Sequence, residues 1–415
     1  MMINQLFPDK KTEYDFMKVN KYFPFAFIYF FVNSLALPFG LTYTALLAPL
    51  FYTWILLTRK KEILLPFLAL LLPFIIIQVT VVGVDTKSYF LSLLNFILVY
   101  VSCQAIYTFL IVCKEPEKIF RSILILNFVF CIIAIPFYFT SSFQSLWIEQ
   151  SIAMNVGHYR RLQLFTYEPS YYALLFTPFF FFYLLQYCFS QNTISAKWLL
   201  PMLFLPYVLS FSIGVIGAAL LAGVVLWIIY FKRLTRKKRI LNGLIYTGAG
   251  VGSAMLVLVT FFRHNPVFSR IRNIFYGEDS SGNGRIRDAF ILAEKLLQKK
   301  NEFWGIGIGQ VKIIGEATIR NYYLYYTEFR VAIPNAAAET LAIFGWIGFS
   351  LRFLIEIFLF FYTRVWTNYY RLLLFLFIFI YQFTGSFITN VAEYAIWILA
   401  FTRVFRQFDV KADKE

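Results

Sequence analysis

Histidine is almost missing from this chain: His158 and His264 are the only two in 415 residues. Cysteine is scarce too, and the four present (Cys103, Cys113, Cys131, Cys188) all lie within or at the ends of apolar segments. No Cys/His spacing suits zinc, so no metal site is expected. With no cysteine in the intervals expected outside the membrane, disulfides are not expected, and the four read as small core residues. Charge is thin at 14%, where soluble domains carry nearer ~25%. That shortage excludes an ordinary soluble domain. It also changes the meaning of the net charge of +16: the basic excess follows membrane topology and does not point to nucleic acid. No long-period repeat and no low-complexity tail occurs.

What is abundant is apolar length. Sixty per cent of the residues are hydrophobic, and the mean hydropathy is +0.67. Runs of about 17 to 25 apolar residues, the length that crosses a bilayer as helix, recur along nearly the whole chain. The expected spans are 22–38, 41–58, 63–82, 88–112, 119–139, 168–189, 197–209, 212–231, 240–261, 336–362, 370–386 and 389–405. The fold class is therefore an all-α polytopic membrane protein, 1–415 as a single integral membrane domain, with about twelve transmembrane helices. The first twenty residues are too polar for a cleavable signal.

Lys and Arg in the short connections set the orientation. Arg59-Lys60-Lys61, Lys114, Lys118, Arg121, Lys197, Lys232 to Arg239, Arg364, Arg371 and the basic tail share one side. That side is expected to be cytoplasmic, with both termini on it. Two longer intervals, 140–167 and 262–335, then face outward. The second is the only long polar stretch in the sequence and is crowded with arginine, which the same rule makes scarce on that face. Within it, Gly284–Lys300 has helical amphipathic spacing: Ile286, Ala289, Phe290, Ala293, Leu296 and Leu297 form the apolar stripe. Ser280 to Asn283 is expected to be the loop and cap before it, and the helix is expected on the membrane surface.

Several residues carry chemistry or have a plainer use. Glu168-Pro169-Ser170 opens a span. Pro169 suits a first helical turn and Glu168 suits a helix dipole, yet a carboxylate beside Arg160 and Arg161 is also placed to orient an arginine or act as a base. The outward arginines (Arg160, Arg161, Arg263, Arg270, Arg272, Arg285, Arg287) either hold lipid headgroups or, as a set, grip a diphosphate through paired charge-assisted bonds. Tyr322, Tyr323, Tyr325 and Tyr326 read equally as an interfacial belt or as flat faces for sugar rings. Gly305, Gly307 and Gly309 lack the strand and lysine of a nucleotide loop; a tight re-entrant turn is expected. Asn335 opens the next span, and Glu339, one turn inside, is an ionisable group at membrane depth, as is Glu393. Arg352 and Glu356, at i,i+4 and near the cytoplasmic end, read as a structural pair.

In fixed order, these pieces resemble the O-antigen polymerase and O-antigen ligase superfamily of bacterial envelope enzymes. The resemblance covers roughly residues 158 to 350: Arg161 with Glu168-Pro169-Ser170, a Ser/Gly/Ala-rich span from Ser210 to Ala222, Gly284-Arg285 with Asp288, the Gly305 to Gly309 turn, and Asn335, Glu339, Gly345 and Gly348. It implies a GT-C-like helical architecture and a metal-independent glycosyltransferase of the inner membrane without a cofactor. The implied partners are undecaprenyl-diphosphate-linked oligosaccharides, membrane lipids, a chain-length regulator and a flippase. The implied reaction joins repeat units into O-antigen or capsule-type polysaccharide. Arg161, Arg285 and Arg287, with Arg160, Arg263, Arg270 and Arg272, would bind diphosphate and stabilise the leaving group. The tyrosines and Asn335 would bind sugar. Relatives often carry His before that Asn, where this chain has Pro334, so Glu168, His264 and Glu339 are the candidate bases and Glu168 the first choice. The alternatives are an O-antigen ligase and, from another class, a lipid-linked oligosaccharide flippase or transporter.

Overall fold

The apolar runs become helices because a backbone out of water must satisfy its own N–H and C=O groups. The computed structural model describes residues 21–35, 42–60, 63–153, 156–189, 194–235, 273, 276, 280–323 and 331–410. The expected span at 240–261 lies outside the described residues. So do Arg263, His264, Arg270, Arg272, Tyr325 and Tyr326.

In chain order the helices used below are α1 (Phe23–Val32), α2 (Tyr43–Leu46), α3 (Ala48–Arg59), α4 (Leu64–Val82), α5 (Thr86–Val112) and α6 (Pro116–Phe137). Then come α7 (Pro169–Cys188), α8 (Ala196–Ser210), α9 (Ile213–Ile229), α10 (Phe231–Thr235), α11 (Ser280–Leu297) and α12 (Val311–Tyr322). The last are α13 (Ala336–Tyr362), α14 (Tyr369–Tyr381) and α15 (Val391–Phe401). Among the described residues, α4, α5, α6, α7 and α13 are long and apolar enough to cross a membrane. The protein is thus a mostly helical chain with the build of an all-α membrane protein.

One helix is central. In α7, 78% of the most apolar window is buried inside the protein, against 22% for α4 and α13. Phe176, Phe181, Phe182, Tyr172 and Tyr183 on α7 are all fully buried. Pro169 occupies its first turn, where a missing N–H costs nothing. Whatever stands at the head of α7 is held by the middle of the bundle.

The interval 140–167 is not a plain loop. It holds an antiparallel hairpin, β1 (Trp147–Ala153) paired with β2 (Val156–Leu162), with Trp147 opposite Leu162. Those two side chains are buried, and the Trp147 indole donates to Ala134 O at 2.8 Å. The hairpin is therefore fastened to the end of α6.

The amphipathic helix forms, with a shifted start. Ser280 to Asn283, expected as loop and cap, are the first turn of α11; glycine there costs only ~1 kcal/mol in helix propensity. Ala289, Leu292, Ala293, Leu296 and Leu297 are buried, while Ile286 is 51% exposed. The apolar stripe thus begins at Ala289, and it packs on α13. Burying a leucine of this kind contributes about 1.5–3 kcal/mol.

The largest departure lies in α13. Gly345 has φ 66 and ψ −169, outside any helix. In a straight helix Arg352 would sit about 24 Å from Ala336; instead Arg352 Nη1 donates to Ala336 O at 3.3 Å and to Thr340 Oγ1 at 2.9 Å. The chain doubles back at Gly345 into two arms, 336–344 and 346–362. Arg352, expected near the cytoplasmic end, is folded back onto the start of the span.

Candidate functional site

The re-entrant turn at 301–310 fits into the bend of α13. Gly305, Gly307 and Gly309 have φ of 75, 97 and 77, a region that side chains rarely enter. Ile306 N and Gly307 N donate to Ala342 O and Ile343 O, and Trp346 N and Ile347 N donate to Glu302 O and Phe303 O. The carbonyls left open where the first arm ends are thereby satisfied. Gln78, fully buried at the end of α4, donates to Trp304 O (2.8 Å) and Ile343 O (2.9 Å) and accepts from Tyr89 OH (3.0 Å). On the outer flank, Gln310 pairs with both backbone groups of Asp85, and Lys300 donates to Gly83 O. This scaffold fixes α11 and the first arm of α13 against the membrane helices.

Asn335 is the staple. It is fully buried, caps the first arm by accepting from Ala338 N, and donates to Arg285 O (2.8 Å) and Phe383 O (2.7 Å). One amide thus joins α11, α13 and the end of α14. All of these bonds go to backbone groups.

The stapling places Arg285 near the head of α7. Glu168 is extended at the N-cap position, and its carboxylate accepts from Ser170 Oγ. Ser170 also lies beside Tyr381, the last residue of α14. Arg285 and Glu168 both lie in the neighbourhood of Tyr167 and Tyr381. A guanidinium, a carboxylate, a serine hydroxyl and two phenols therefore converge from three distant parts of the chain. Ser170 and Tyr381 are buried, and Arg285 and Glu168 are partly exposed. Such a group of side chains can bind an oxyanion through Arg285 and accept a proton at Glu168.

Other expected site residues are engaged elsewhere. Arg161 donates to Ser210 O (2.9 Å) and Ser212 Oγ (3.2 Å), a cation at the C-terminus of α8, where it favours the helix dipole. Arg160 donates to Tyr138 O, lies 5.5 Å over the Tyr138 ring and is 3.9 Å from Glu149. Arg287 is exposed. Tyr322 and Tyr323 donate to the two oxygens of Asp288, at 3.0 and 3.3 Å, so Asp288, one turn from Arg285, is occupied by two phenols.

Glu339 belongs to a second polar group. Its Oε2 accepts from Ile388 N at 2.7 Å. Arg352 pairs with Glu356 at 3.0 Å and with Glu393 at 2.5 Å, and Gln382 donates to Glu356 Oε2 at 2.9 Å. Sequence reasoning passed over Tyr381, Gln78 and Gln382. Gln78 is a polar residue inside an apolar run, and that was its signal; Tyr381 and Gln382 are neighbours closing a later apolar run, where a tyrosine is ordinary.

Neither a protein-family model nor a curated protein matches this chain.

Proposed function

We propose that this protein is a membrane glycosyltransferase that polymerises undecaprenyl-diphosphate-linked oligosaccharide repeat units on the outer face of the inner membrane, with twelve spans and both termini cytoplasmic. The observation carrying the proposal is that Asn335 ties Arg285 O to Phe383 O, two residues past Tyr381, which brings Arg285 and Tyr381 together beside the Glu168–Ser170 pair at the head of α7. An acceptor hydroxyl oxygen forms the new bond to the anomeric carbon of the donor. The bond from that carbon to diphosphate breaks, and its electron pair leaves with undecaprenyl diphosphate. Arg285 stabilises the departing oxyanion, and the acceptor's proton passes to Glu168. A partly exposed cation beside a buried phenol and serine supplies oriented charge where that oxyanion forms.

The test is reconstitution in proteoliposomes with purified lipid-linked repeat unit. A ladder of products from the wild type, lost in Arg285→Ala, supports the assignment. An unchanged ladder from Arg285→Ala sinks the role given to Arg285.

A transporter of lipid-linked oligosaccharide is the second reading, favoured by the broken helix at Gly345 and the charges buried beside it. Broken helices and charges of this kind line substrate paths in transporters. The same vesicles separate the two: a transporter changes the leaflet of the lipid-linked unit without changing its length.

A further inference from the structure

The polar cluster at the bend of α13 is short of positive charge and of hydrogen-bond donors. Arg352 is one cation shared by Glu356 and Glu393, with Glu339 nearby as a third carboxyl. Glu339 has its own support, from Ile388 N and from its place in the first turn of the arm, where the helix dipole favours an anion. Both oxygens of Glu356 have donors, Arg352 Nε and Gln382 Nε2. What remains bare is Glu393 Oε2 and Gln382 Oε1, buried acceptors without a partner on residues 1% and 0% exposed. No buried donor in this cluster is left unpaired among the described residues. A buried carboxyl oxygen and a buried amide oxygen without donors are unfavourable. Two bare acceptors beside an excess of carboxylate define a cation site.

Among the described residues no three His, Cys, Asp or Glu side chains are grouped to hold a metal ion, and Arg352 already supplies one positive charge to two carboxylates, so the cluster is short of a single positive charge. A cavity of about 650 Å³, lined by Arg352, Glu356, Thr340 and Tyr394 among apolar side chains, adjoins the cluster. Around the cluster also stand Cys103 on α5, Tyr171 on α7, Lys312 on α12, Tyr381 on α14, Tyr394 on α15 and Thr340 on the first arm.

We propose that Glu393 and Gln382, with Arg352 and Glu356, form a binding site for one monovalent cation, Na⁺ or a proton, at the bend of α13. The site does not depend on whether the protein is a polymerase or a transporter. Occupancy neutralises Glu393 and so loosens its claim on Arg352, the side chain that ties the second arm back to Ala336. Cation binding and the angle of the bend are therefore linked.

The experiment is thermal unfolding of the purified full-length protein in lipid nanodiscs. A ligand that binds only the folded state raises the Tm with its concentration. If Na⁺ is the ligand, NaCl raises the Tm at fixed pH while choline chloride at equal ionic strength does not. If a proton is the ligand, the Tm in Na⁺-free buffer rises as the pH falls. In either case Glu393→Gln, which removes the uncompensated charge, abolishes the dependence. Gln382→Leu, which removes the second bare acceptor, weakens it and serves where Glu393→Gln does not fold. A Tm indifferent to both Na⁺ and pH, or a dependence that survives both substitutions, overturns the site.

Discussion

Gly305 and Gly345 meet backbone to backbone: a Cβ built on either comes within 2.6 Å of the other's amide nitrogen. Both have positive φ, 75 and 66. The bend of α13 exists because the glycine turn and the broken helix approach without side chains between them. Alanine at either position is expected to cost about 3 kcal/mol or more, from overpacking and left-handed strain together. Gly217, where an added methyl would meet nothing within 4 Å and φ is not positive, is the control; its alanine variant should be neutral or slightly stabilised. Thermal unfolding of the three variants checks this, and equal Tm values for Gly345→Ala and Gly217→Ala would refute the packing argument.

Gln78 should behave as a latch with three bonds and no surface exposure. Gln78→Leu leaves the Trp304 and Ile343 carbonyls and the Tyr89 hydroxyl without these partners, at an expected cost of about 3 kcal/mol. Tyr89→Phe removes one donor and leaves the other two bonds intact, so about 1 kcal/mol is expected. In the double variant the Tyr89→Phe cost should vanish, because its partner is already gone. Additive losses would show that the Tyr89 to Gln78 bond contributes nothing.

These two contacts also show why part of the fold was hidden in the sequence. Hydropathy reveals that 336–362 is apolar and long enough to cross a membrane, and among the described residues helices lie within the expected runs. It carries no information about backbone angles, so one bent helix and one straight span look the same. Gly345 and Gly348 were visible as a pair; that Gly345 faces Gly305 was not, because the two are joined only by tertiary contact. The hairpin escaped for another reason: Trp147 to Ala153 does not alternate apolar and polar residues, and its pairing is fixed by Trp147 and Leu162 docking on the bundle. For the site, Glu168, Ser170 and Arg285 were legible as polar residues at helix starts. Tyr381 was not, since a tyrosine closing an apolar run is ordinary at a membrane boundary.

The start of α5 gives an acid-sensitive element outside the membrane. Asp85 accepts from Ser88 N at 2.8 Å, and this backbone bond, then the Ser88 hydroxyl, holds its carboxyl below the usual 3.8. Since the folded value is the lower one, the stabilisation is present above about pH 3.8 and is lost as pH falls through the folded value. Asp85→Asn keeps the cap and removes the titration. Its Tm, plotted against pH, should therefore show a flatter acid limb than the wild type, with the two curves converging at the most acidic end. Parallel curves throughout would remove Asp85 from the account.

Tyr381 is the sharpest test of the candidate site, because its ring and its hydroxyl do separable things. The ring stacks on Phe377 at 5.7 Å and supports the end of α14; the hydroxyl meets Ser170 and lies in the fields of Arg285 and Glu168. Tyr381→Phe keeps the packing and takes away the polar atom. Under the polymerase reading it should leave membrane levels and Tm nearly unchanged while polymer formation falls by about 10- to 100-fold, the scale for loss of one oriented group. Ser170→Ala should act in the same direction and less strongly, since Glu168 itself is kept. Arg285→Lys should fall between wild type and Arg285→Ala, because lysine returns the charge without the paired donors. A Tyr381→Phe variant that makes full-length polymer at the wild-type rate would detach the phenol from the chemistry and leave it as packing alone.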